Sequence, residues 1–474
     1  MKIVLVYSDV SGVERYGARK FYHGVGYVSA VLKKAGHETS LIYLQRELSG
    51  EEFLAEVEAR SPDLVGFSST THQHPFVERY AAVLKQHHPG VFVLSGGTHA
   101  TLIPADVIAC ESIDAACVGE GEHAILELVE RLEQGKDYAD VRNLWLRRNG
   151  EVIRNPLRPL VADLDDLPFA DREIFDYDDM LAHNDAWIDM MTGRGCPYNC
   201  SYCCNPGLKK RFRGLGRYVR FRSVPHIMAE IQAIRERYPI KVVNFQDDTF
   251  TLDREWTLEF CKAYGEEFGY PFWINTRVER IESDEEVVAA LASAGCQGIR
   301  VGIESGNEWL RTTILKRRMT NDEIIRAFEL VKRHGLQVYS CNMLGLPGET
   351  AEMIQETIEL NRKLEPDEFQ FSVFYPYPMT ELYDQTVGKG MLREGESLTS
   401  YYAKASILDL PDLTPEELEK GYDGFVALKR ELALKRRSPL KYRIYKVLSV
   451  FTGGDIERLR MAFHRLKGLL RRRA

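Results

Sequence analysis

The chain has 474 residues, of which 44% are hydrophobic and 28% are charged, and its formal net charge is −8 at pH 7. This length predicts two or three folded units, each large enough to bury a core. No apolar run is long enough to span a bilayer, and the negative net charge argues against a general nucleic-acid binder. We therefore expect a soluble globular chain that has no specific nucleic-acid partner.

The amino terminus and the cysteines indicate in which cellular compartment the protein is expected. Residues 1–7 are apolar but lack the basic leader and the small-residue cleavage site of a signal peptide, so they predict a first strand instead. Most of the nine cysteines stand alone in apolar segments, which is typical of a reducing compartment. We expect a cytoplasmic protein. The exception to the isolated pattern is the group between Cys196 and Cys204.

Residues 1–140 alternate short apolar strands with helical patterns. Predicted strands cover residues 3–7, 39–44, 64–68, 91–95 and 115–118, with helical patterns such as 26–34 and 122–132 between them. This alternation predicts an α/β domain with a flavodoxin-like (Rossmann-like) doubly wound sheet.

Residues 141–185 carry a polar, hairpin-like piece and then an acidic segment without helical or strand period, so we predict a linker. Residues 186–400 return to alternation, and six β/α units in series predict a partial (β/α)6 TIM-like barrel. Residues 401–474 are predicted to form a helical, basic carboxyl-terminal region. The barrel strands are expected at residues 188–192, 242–245, 272–275, 299–303, 338–344 and 369–374.

The carboxyl-terminal tail is strongly basic, with 15 Lys and Arg against 3 Asp and Glu from Lys429 onward. Apolar side chains recur at helical spacing between Arg458 and Arg473, which is typical of an amphipathic helix. This pattern predicts weak contact with an anionic membrane, such as the inner membrane surface, or with an anionic or lipid-like substrate. A solvated charged face is the alternative. The apolar positions are Leu459, Phe463, Leu466 and Leu470.

Three cysteines with C-x3-C-x2-C spacing follow the first predicted barrel strand, at the end of the barrel where active sites are built. A structural zinc ion takes four protein ligands in a closed tetrahedron, and no matching fourth ligand follows Cys196, Cys200 and Cys203. A cuboidal iron–sulfur cluster held by three thiolates leaves one iron open for a substrate. Zinc and buried free cysteines remain the alternatives, and Cys204 is expected to be a small buried residue.

This loop resembles the signature of the radical S-adenosylmethionine (SAM) superfamily. The resemblance implies that Cys196, Cys200 and Cys203 hold a [4Fe-4S] cluster, whose open iron chelates the amino and carboxylate groups of SAM. It also implies that Tyr202 lies beside the adenine. A small-molecule substrate and a reductant such as flavodoxin or ferredoxin complete the expected partners.

Two further strand ends carry side chains that we expect to converge on SAM. Asp247 and Asp248 end the second barrel strand, and paired carboxylates can accept hydrogen bonds from an ammonium group. Glu304 and Ser305 end the fourth strand, and the resemblance implies contact with the ribose or the methionine part. Capping of the following helix is the alternative for one aspartate and for Ser305.

The remaining strand ends offer glycines, an arginine and a tyrosine. Gly345 and Gly348 permit close approach of the backbone to a flat base, while the neighbouring Glu349 is a candidate helix cap. Arg277 is a candidate catalytic cation, with an ordinary ion pair as the alternative. Tyr375 begins a segment, residues 375–383, that resembles one found in cobalamin-binding radical SAM proteins.

The amino-terminal domain is similar to cobalamin-binding domains that precede radical SAM barrels. Its ligand is expected in the crevice beyond the carboxyl ends of the strands, where hydroxyls and side-chain-free backbone are available. There is no G-x-G-x-x-G for a dinucleotide. The cobalamin-binding candidates are Ser68, Ser69, Thr70, Gly96, Gly97, Thr98, Gly119 and Glu120.

The sequence lacks the Asp-x-His-x-x-Gly motif with which some cobalamin proteins supply a lower axial histidine to cobalt. His23, His72, His74 and His99 are candidates by proximity alone. A second departure is Met379, which stands where the segment at residues 375–383 usually has glycine.

The resemblance implies that SAM is cleaved reductively to a 5'-deoxyadenosyl radical, and that cobalamin delivers a methyl group to an unactivated substrate carbon. A radical cyclase or rearrangement enzyme of the anaerobic porphyrin cyclase type is one alternative. A methylthio-transferring enzyme acting on RNA needs a second cluster, for which Cys110 and Cys117 are too few. A non-catalytic, metal-stabilised binding protein is the last alternative.

Overall fold

A computed structural model describes residues 1–9, 20–393 and 404–443. Within these residues the chain forms a seven-stranded sheet, a six-stranded sheet and a small two-stranded ribbon. The predicted amphipathic helix at residues 458–473 lies outside the described residues.

The first sheet has the strand order β2-β1-β3-β4-β5-β6-β7, and its pairs are parallel from β2 to β5. This order confirms the predicted flavodoxin-like arrangement. The strands are β1 (Lys2–Ser8), β2 (Glu38–Leu44), β3 (Leu64–Ser68), β4 (Phe92–Gly96), β5 (Ala115–Cys117), β6 (Leu144–Arg148) and β7 (Glu151–Arg154). The helices around it are α1 (His23–Lys34), α2 (Gly50–Glu58), α3 (His74–His87), α4 (Gly97–Leu102), α5 (Pro104–Ala109) and α6 (Glu122–Glu133).

Continuous apolar runs form the central strands because helices cover the sheet on both faces. In β1, six consecutive residues from Ile3 to Ser8 are buried. Two separate apolar clusters lie on the two sides of the sheet, one containing Leu5 and the other containing Val4. Because these strands are parallel, the carboxyl ends of β1, β3, β4 and β5 lie at one edge of the sheet.

The hairpin β6–β7 lies in the segment predicted as a linker, and it pairs antiparallel with β5. The first sheet thus extends beyond residue 140. The rest of the segment contains α7 (Tyr177–His183) and contacts the first domain, since the Asp171 backbone N–H donates to the Gly26 carbonyl oxygen at 3.0 Å. The Asp171 carboxylate also pairs with Lys33 at 2.7 Å. The domain boundaries themselves stay a prediction.

The second sheet has the order β15-β14-β13-β12-β11-β8, with every neighbouring pair parallel. Six parallel strands in chain order, in an open sheet, confirm the predicted partial barrel. The strands are β8 (Trp187–Met190), β11 (Val242–Phe245), β12 (Phe272–Thr276), β13 (Cys296–Glu304), β14 (Gln337–Leu344) and β15 (Glu368–Val373). Between β8 and β11, β9 (Gly193–Arg194) and β10 (Arg220–Phe221) form the antiparallel ribbon.

Eight α-helices of the described residues accompany this sheet. They are α8 (Asn205–Arg211), α9 (Val224–Arg235), α10 (Arg254–Glu267), α11 (Glu285–Ser293), α12 (Asn321–Arg333), α13 (Ala351–Leu364), α14 (Glu381–Gly388) and α15 (Pro415–Arg437). The predicted carboxyl-terminal helical region begins with α15, which packs through buried Phe425 and Leu428 in a cluster with Ile358 of α13. Among the described residues, no helix is both long and apolar enough to cross a membrane.

Candidate functional site

The cysteine loop leaves the end of β9 and leads into α8. Cys196 and Cys200 are buried, and Cys203 is half-buried. Gly195, just before the loop, has a φ of +89°, and a Cβ there would lie 2.4 Å from the Tyr218 carbonyl oxygen. Only glycine fits this position, because a side chain would meet backbone. The glycine thus sets the direction in which the loop departs.

The three loop sulfurs do not surround a single ion. Ligands of a tetrahedral Zn–S site, with Zn–S near 2.3 Å, lie about 3.8 Å apart. Among the described residues, the one group that brings three ligand atoms within 4.8 Å of one another contains no cysteine. The three sulfurs therefore do not form the compact ligand set of a closed zinc site within the described residues.

Hydrogen-bond donors approach the sulfurs. Arg277 donates from Nη1 to Cys200 Sγ at 3.1 Å, while Asn205 donates its backbone N–H and its Nδ2 to Cys203 Sγ at 3.5 Å. A hydrogen bond from the Cys204 thiol lowers the pKa of Cys203 to about 7. Cys204 is therefore a partner of the loop and not merely a small buried residue. Such donors favour the thiolate form that binds metal.

The two aspartates at the end of β11 have different roles. The Asp247 carboxylate accepts the backbone N–H groups of Thr192 at 3.0 Å and Gly193 at 2.7 Å, so it braces the entry to the cysteine loop. Burial raises the pKa of Asp247 to about 6. Asp248 instead accepts the Asn205 Nδ2 at 3.0 Å, and burial raises its pKa as well. Neither aspartate caps α10, whose first turn is capped by Asp253.

Tyr202 and Glu304 meet in a buried network. The Tyr202 hydroxyl donates to Glu304 Oε1 at 2.9 Å, and Arg317 Nη1 donates to the same oxygen at 3.2 Å. Glu304 adopts a φ of +68°, a left-handed conformation that is uncommon outside glycine. The surrounding contacts hold this strained residue at the end of β13, directly beside the cysteine loop.

Ser305 and Gly345 have local structural roles. The Ser305 side chain is fully buried and accepts the Asn307 backbone N–H at 3.2 Å, which matches the capping alternative. Gly345 has a φ of +76°, and a Cβ there would lie 3.4 Å from Leu418 of α15. The lack of a side chain at Gly345 therefore permits the left-handed backbone conformation, and it also lets α15 pack closely against this loop.

The loop after β14 contains a buried acid. Glu349 accepts the backbone N–H of Gly345 at 2.6 Å and that of Leu346 at 3.1 Å, so it closes its own loop and leaves the capping of α13 to Thr350. Burial raises the pKa of Glu349 to about 8. Gly348, with a φ of +78°, faces the exposed ring of Trp309.

Tyr375 lies where the two sheets' loops meet. Its ring packs against His72 of the first domain, with centroids 4.3 Å apart, and His72 Nε2 lies 2.8 Å from the Tyr377 hydroxyl. Met379 has a φ of +62°, so it adopts the conformation for which glycine is the usual choice. A Cβ at Gly207 would lie 2.6 Å from the Met379 carbonyl oxygen, and α8 therefore packs directly against this turn.

A cavity of about 490 Å³ lies between the cysteine loop and the carboxyl ends of the first sheet. The amino-terminal domain contributes Gly96, Gly97 and Gly119, while the barrel contributes Gly195 and Cys204. Its wall also includes linker residues and apolar side chains of α8. These further residues are Leu160, Leu164, Leu167, Leu208 and Phe212.

The predicted cobalamin loops border this cavity or lie just behind it. Gly97 has a φ of +90°, and a Cβ there would lie 2.7 Å from the backbone of Ser69, so the loops after β3 and β4 touch through bare backbone. The buried hydroxyls of Ser69 and Thr70 have no hydrogen-bond partner within the described part of the chain. Ser68 and Thr98 line the cavity itself. Unpartnered hydroxyls and exposed backbone fit a large polar ligand.

Glu120 joins the two domains. Its Oε1 accepts from Arg194 Nη1 at 2.9 Å and from Arg220 Nη2 at 2.8 Å, while its Oε2 accepts the Val161 backbone N–H at 2.8 Å. Burial opposes ionisation, but the two arginines outweigh it and lower the pKa of Glu120. Glu122 adds a second acceptor for Arg194 at 2.6 Å. Glu120, which also lines the cavity, therefore joins the two domains, and its contact with cobalamin stays a prediction.

The four histidines considered as lower axial ligands differ in their position relative to the cavity. His72 is engaged with Tyr377, and His74 and His99 stack on each other with centroids 4.1 Å apart. Only His23 of the four lines the main cavity. Burial lowers the pKa of His23 to about 3, so its ring is neutral at pH 7.

Several residues at the site were not predicted from the sequence. Asn205 directly follows the cysteine loop, and Arg317 lies 13 residues beyond Glu304, so neither stands at a strand end. The signal for Asn205 was its position next to Cys204 at the start of α8. For Arg194 and Arg220 there was no signal, because their partner Glu120 lies far away in the sequence.

Two family descriptions match the chain. Residues 190–360 match the radical SAM superfamily, and residues 22–129 match the B12 binding domain. The first span runs from the last residue of β8 through β14 and most of α13, and the second runs from α1 through β5 and most of α6.

Similar proteins agree with both descriptions. The chain is 30% identical to an uncharacterized methyltransferase, PH0819, of Pyrococcus horikoshii, covering 89% of this chain and 90% of that one. It is 27% identical to the anaerobic magnesium-protoporphyrin IX monomethyl ester cyclase of Rubrivivax gelatinosus, covering 76% of this chain and 65% of that one. The radical SAM methyltransferase TsrM of Kitasatospora setae has a similar fold, with a TM-score of 0.69, 17% identity and coverage of 90% and 89%. The chain belongs to the radical SAM superfamily, among the members that carry a B12-binding domain, which confirms the predicted resemblance.

Replacing Glu120 with glutamine tests its role in joining the two domains. We expect Glu120→Gln to lower the free energy of unfolding by roughly 3 kcal/mol, because the buried Arg220 loses its counter-charge and Arg194 keeps only Glu122. Urea unfolding followed by circular dichroism measures the change. The control is Glu47→Gln, which removes an exposed ion pair with Arg79 and is expected to cost less than about 1 kcal/mol. Equal changes in the free energy of unfolding for the two substitutions would contradict the role of Glu120 in joining the domains.

The buried acid Glu349 predicts a pH dependence of stability. Its pKa in the folded chain is about 8, above its ordinary value of 4.5, so the folded state holds this proton more tightly. The stabilisation is complete below pH 4.5 and is lost as the pH rises toward 8.

We expect Glu349→Gln, which keeps an oxygen acceptor but carries no charge, to gain stability relative to the parent as the pH rises through this window. The relative gain is at most about 1.4 kcal/mol per pH unit. Thermal unfolding midpoints at pH 5 and pH 8 measure it, and the exposed Glu352→Gln serves as the control. A constant difference between parent and Glu349→Gln would show that Glu349 is already ionised in the folded state.

Proposed function

We propose that the chain is a cobalamin-dependent radical SAM methyltransferase, in which Cys196, Cys200 and Cys203 hold a [4Fe-4S] cluster. The single observation that carries this proposal is the shared cavity, which is lined by glycines of the B12-binding domain and by Gly195 and Cys204 of the cysteine loop. An enzyme that uses two cofactors in one reaction needs both next to the same substrate space. A TsrM structure is described as having cobalamin and a [4Fe-4S] cluster bound, and another as having tryptophan and a SAM analog bound.

When bound, the cluster supplies one electron for the cleavage of SAM and cobalamin supplies a methyl group to an unactivated carbon. This chain's own residues position the reactants and keep them dry. Asp247 fixes the strand end that leads into the cysteine loop through two backbone N–H groups. Leu208 and Phe212 place apolar surface in the cavity wall, which excludes water.

The proposed SAM site combines Asp248, which lines the cavity, with a hydrogen-bonded group beside the cysteine loop that lies outside the cavity wall. Tyr202, Glu304 and Arg317 are joined by hydrogen bonds of 2.9 to 3.2 Å, so their positions are set before a ligand arrives. Asp248 lines the cavity and is oriented by Asn205, which leaves a carboxylate oxygen available for an ammonium group. Ser305 and Gly345 contribute to loop structure in this proposal, and Gly348 and Tyr375 stay SAM-binding predictions.

The proposed cobalamin side comprises the loops after β3, β4 and β5. Gly96, Gly97 and Gly119 expose backbone to the cavity, and Ser68 and Thr98 border it. Ser69 and Thr70 lie behind this wall with buried hydroxyls, and their contact with cobalamin stays a prediction. Glu120 acts indirectly, by holding the loop after β5 against the barrel. We assign no lower axial ligand to cobalt. Of the four candidate histidines, His23 is the one that lies in the cavity wall.

Anaerobic assays with methyl-labelled SAM test the proposal. Protein reconstituted with iron, sulfide and cobalamin is mixed with dithionite and labelled SAM, and 5'-deoxyadenosine and labelled corrinoid are measured by chromatography. We expect both from the parent chain and no 5'-deoxyadenosine from Cys203→Ala, because one of three cluster ligands is gone. The matched control Cys341→Ala, a half-buried cysteine of β14, should behave like the parent.

Three other results would each replace the proposal. Deoxyadenosine without labelled corrinoid would favour a cyclase or rearrangement enzyme, the reaction type named for the Rubrivivax gelatinosus relative. Neither product, with an intact cluster, would favour a binding protein. Zinc in place of iron in protein purified without oxygen would remove radical chemistry altogether.

Arg277 is proposed as a positioning residue for the cluster. Its Nη1 donates to Cys200 Sγ at 3.1 Å, and such a donor stabilises the more negative, reduced state. We expect Arg277→Met to retain the cluster's iron content but to shift its reduction potential to a more negative value. Potentiometric titration followed by electron paramagnetic resonance measures the shift. The control is Arg280→Met, which loses a contact with Tyr198 but none with sulfur. An unchanged potential in Arg277→Met would assign the residue to packing alone.

The flavodoxin or ferredoxin reductant, the small-molecule or lipid-like substrate, the cytoplasmic location and the contact with the inner membrane surface remain predictions. The last of these depends on the tail beyond residue 443, outside the described residues.

A further inference from the structure

A second cluster of metal-binding side chains lies in the amino-terminal domain, away from the cysteine loop. It comprises His74 in the first turn of α3, His99 in α4 and Asp106 in α5. One potential ligand atom from each lies within 4.8 Å of the other two, and no other group of three among the described residues meets this condition. None of the three lines the main cavity.

The geometry points the ligand atoms toward one another. His99 Nε2 lies 3.1 Å and His74 Nε2 lies 4.0 Å from Asp106 Oδ2. Glu78, one helical turn after His74, brings its Oε1 to 3.8 Å from His74 Nε2. Ligands around a tetrahedral Zn²⁺ with bonds near 2.0 Å stand about 3.3 Å apart, so only small side-chain movements are needed.

Burial separates this cluster from an ordinary surface ion pair. The side chains of His74 and His99 are only 4% and 3% exposed, whereas Asp106 and Glu78 are 54% and 48% exposed. Both ring nitrogens of His74 are buried and have no hydrogen-bond partner in the described part of the chain. A buried imidazole that lacks a partner is costly unless something binds it. The exposed carboxylates leave a path by which an ion can enter.

We propose that His74, His99 and Asp106, with Glu78 as the fourth ligand, bind a divalent transition-metal ion such as Zn²⁺. Two imidazoles and two carboxylates form a ligand set suited to this class of ion. The ion ties the start of α3 to α4 and α5, and thus joins the segments that follow β3 and β4. Those segments carry Ser69, Thr70 and Gly97, so the ion stiffens them. The site does not depend on the proposed methyltransferase activity.

Zinc uptake by the cluster-loaded protein tests the proposal. The holoenzyme is dialysed without oxygen against zinc buffered by a chelator, and bound zinc and iron are measured by mass spectrometry. We expect one zinc per chain at unchanged iron content. His74→Gln and Asp106→Asn should each lower zinc affinity by at least about tenfold, since loss of even a supporting partner of a ligand has an effect of that size.

The matched control is His87→Gln, an exposed histidine at the other end of α3, which should bind zinc like the parent. Because His74→Gln changes a buried side chain, the exposed Asp106→Asn provides an independent variant. A second readout is the thermal midpoint, which zinc should raise in the parent but not in Asp106→Asn. Three results would each overturn the proposal: no zinc uptake by the parent, zinc affinity in both variants equal to that of the parent, or zinc uptake at the expense of iron.

Discussion

The ion pairs between Glu120 and two arginines are the constraint on which the geometry of the site depends. Glu120 belongs to the loop after the fifth strand of the first sheet, while Arg194 and Arg220 lie in the small ribbon just ahead of and behind the cysteine loop. Largely shielded from water, these charges interact more strongly than a surface pair would. They hold the carboxyl ends of two sheets face to face, and the cavity between them exists because of that contact.

Much of the fold could be predicted because its signals are local. Short apolar runs at the predicted positions form the parallel strands of both sheets, which are three to nine residues long, and their alternation with helices fixes parallel pairing. The hairpin β6–β7 was harder to place, because it is polar on its exposed side and pairs antiparallel at the edge of an otherwise parallel sheet. Its membership in the first sheet depends on contact with β5, which no local pattern encodes.

The site was predictable where chemistry requires neighbouring residues, and unpredictable where distant residues meet. The three cysteines lie in one loop with a characteristic spacing, so they could be assigned from the sequence. Glu120 and Asp247 were predicted as ligand-binding residues, but their oxygens are occupied by protein donors from other segments. A carboxylate at a strand end can serve a ligand or a neighbouring loop, and only the positions of Arg194 and Thr192 decide between them.

The path of the chain between the two sheets has a consequence for how such proteins can be recombined. Leu160, Leu164 and Leu167 form part of the cavity wall, and the Val161 backbone N–H donates to Glu120. The connecting segment is therefore a structural part of the cavity wall and not an exchangeable tether. An amino-terminal module grafted from another member of the superfamily would have to bring its own connector, or this part of the wall would be lost.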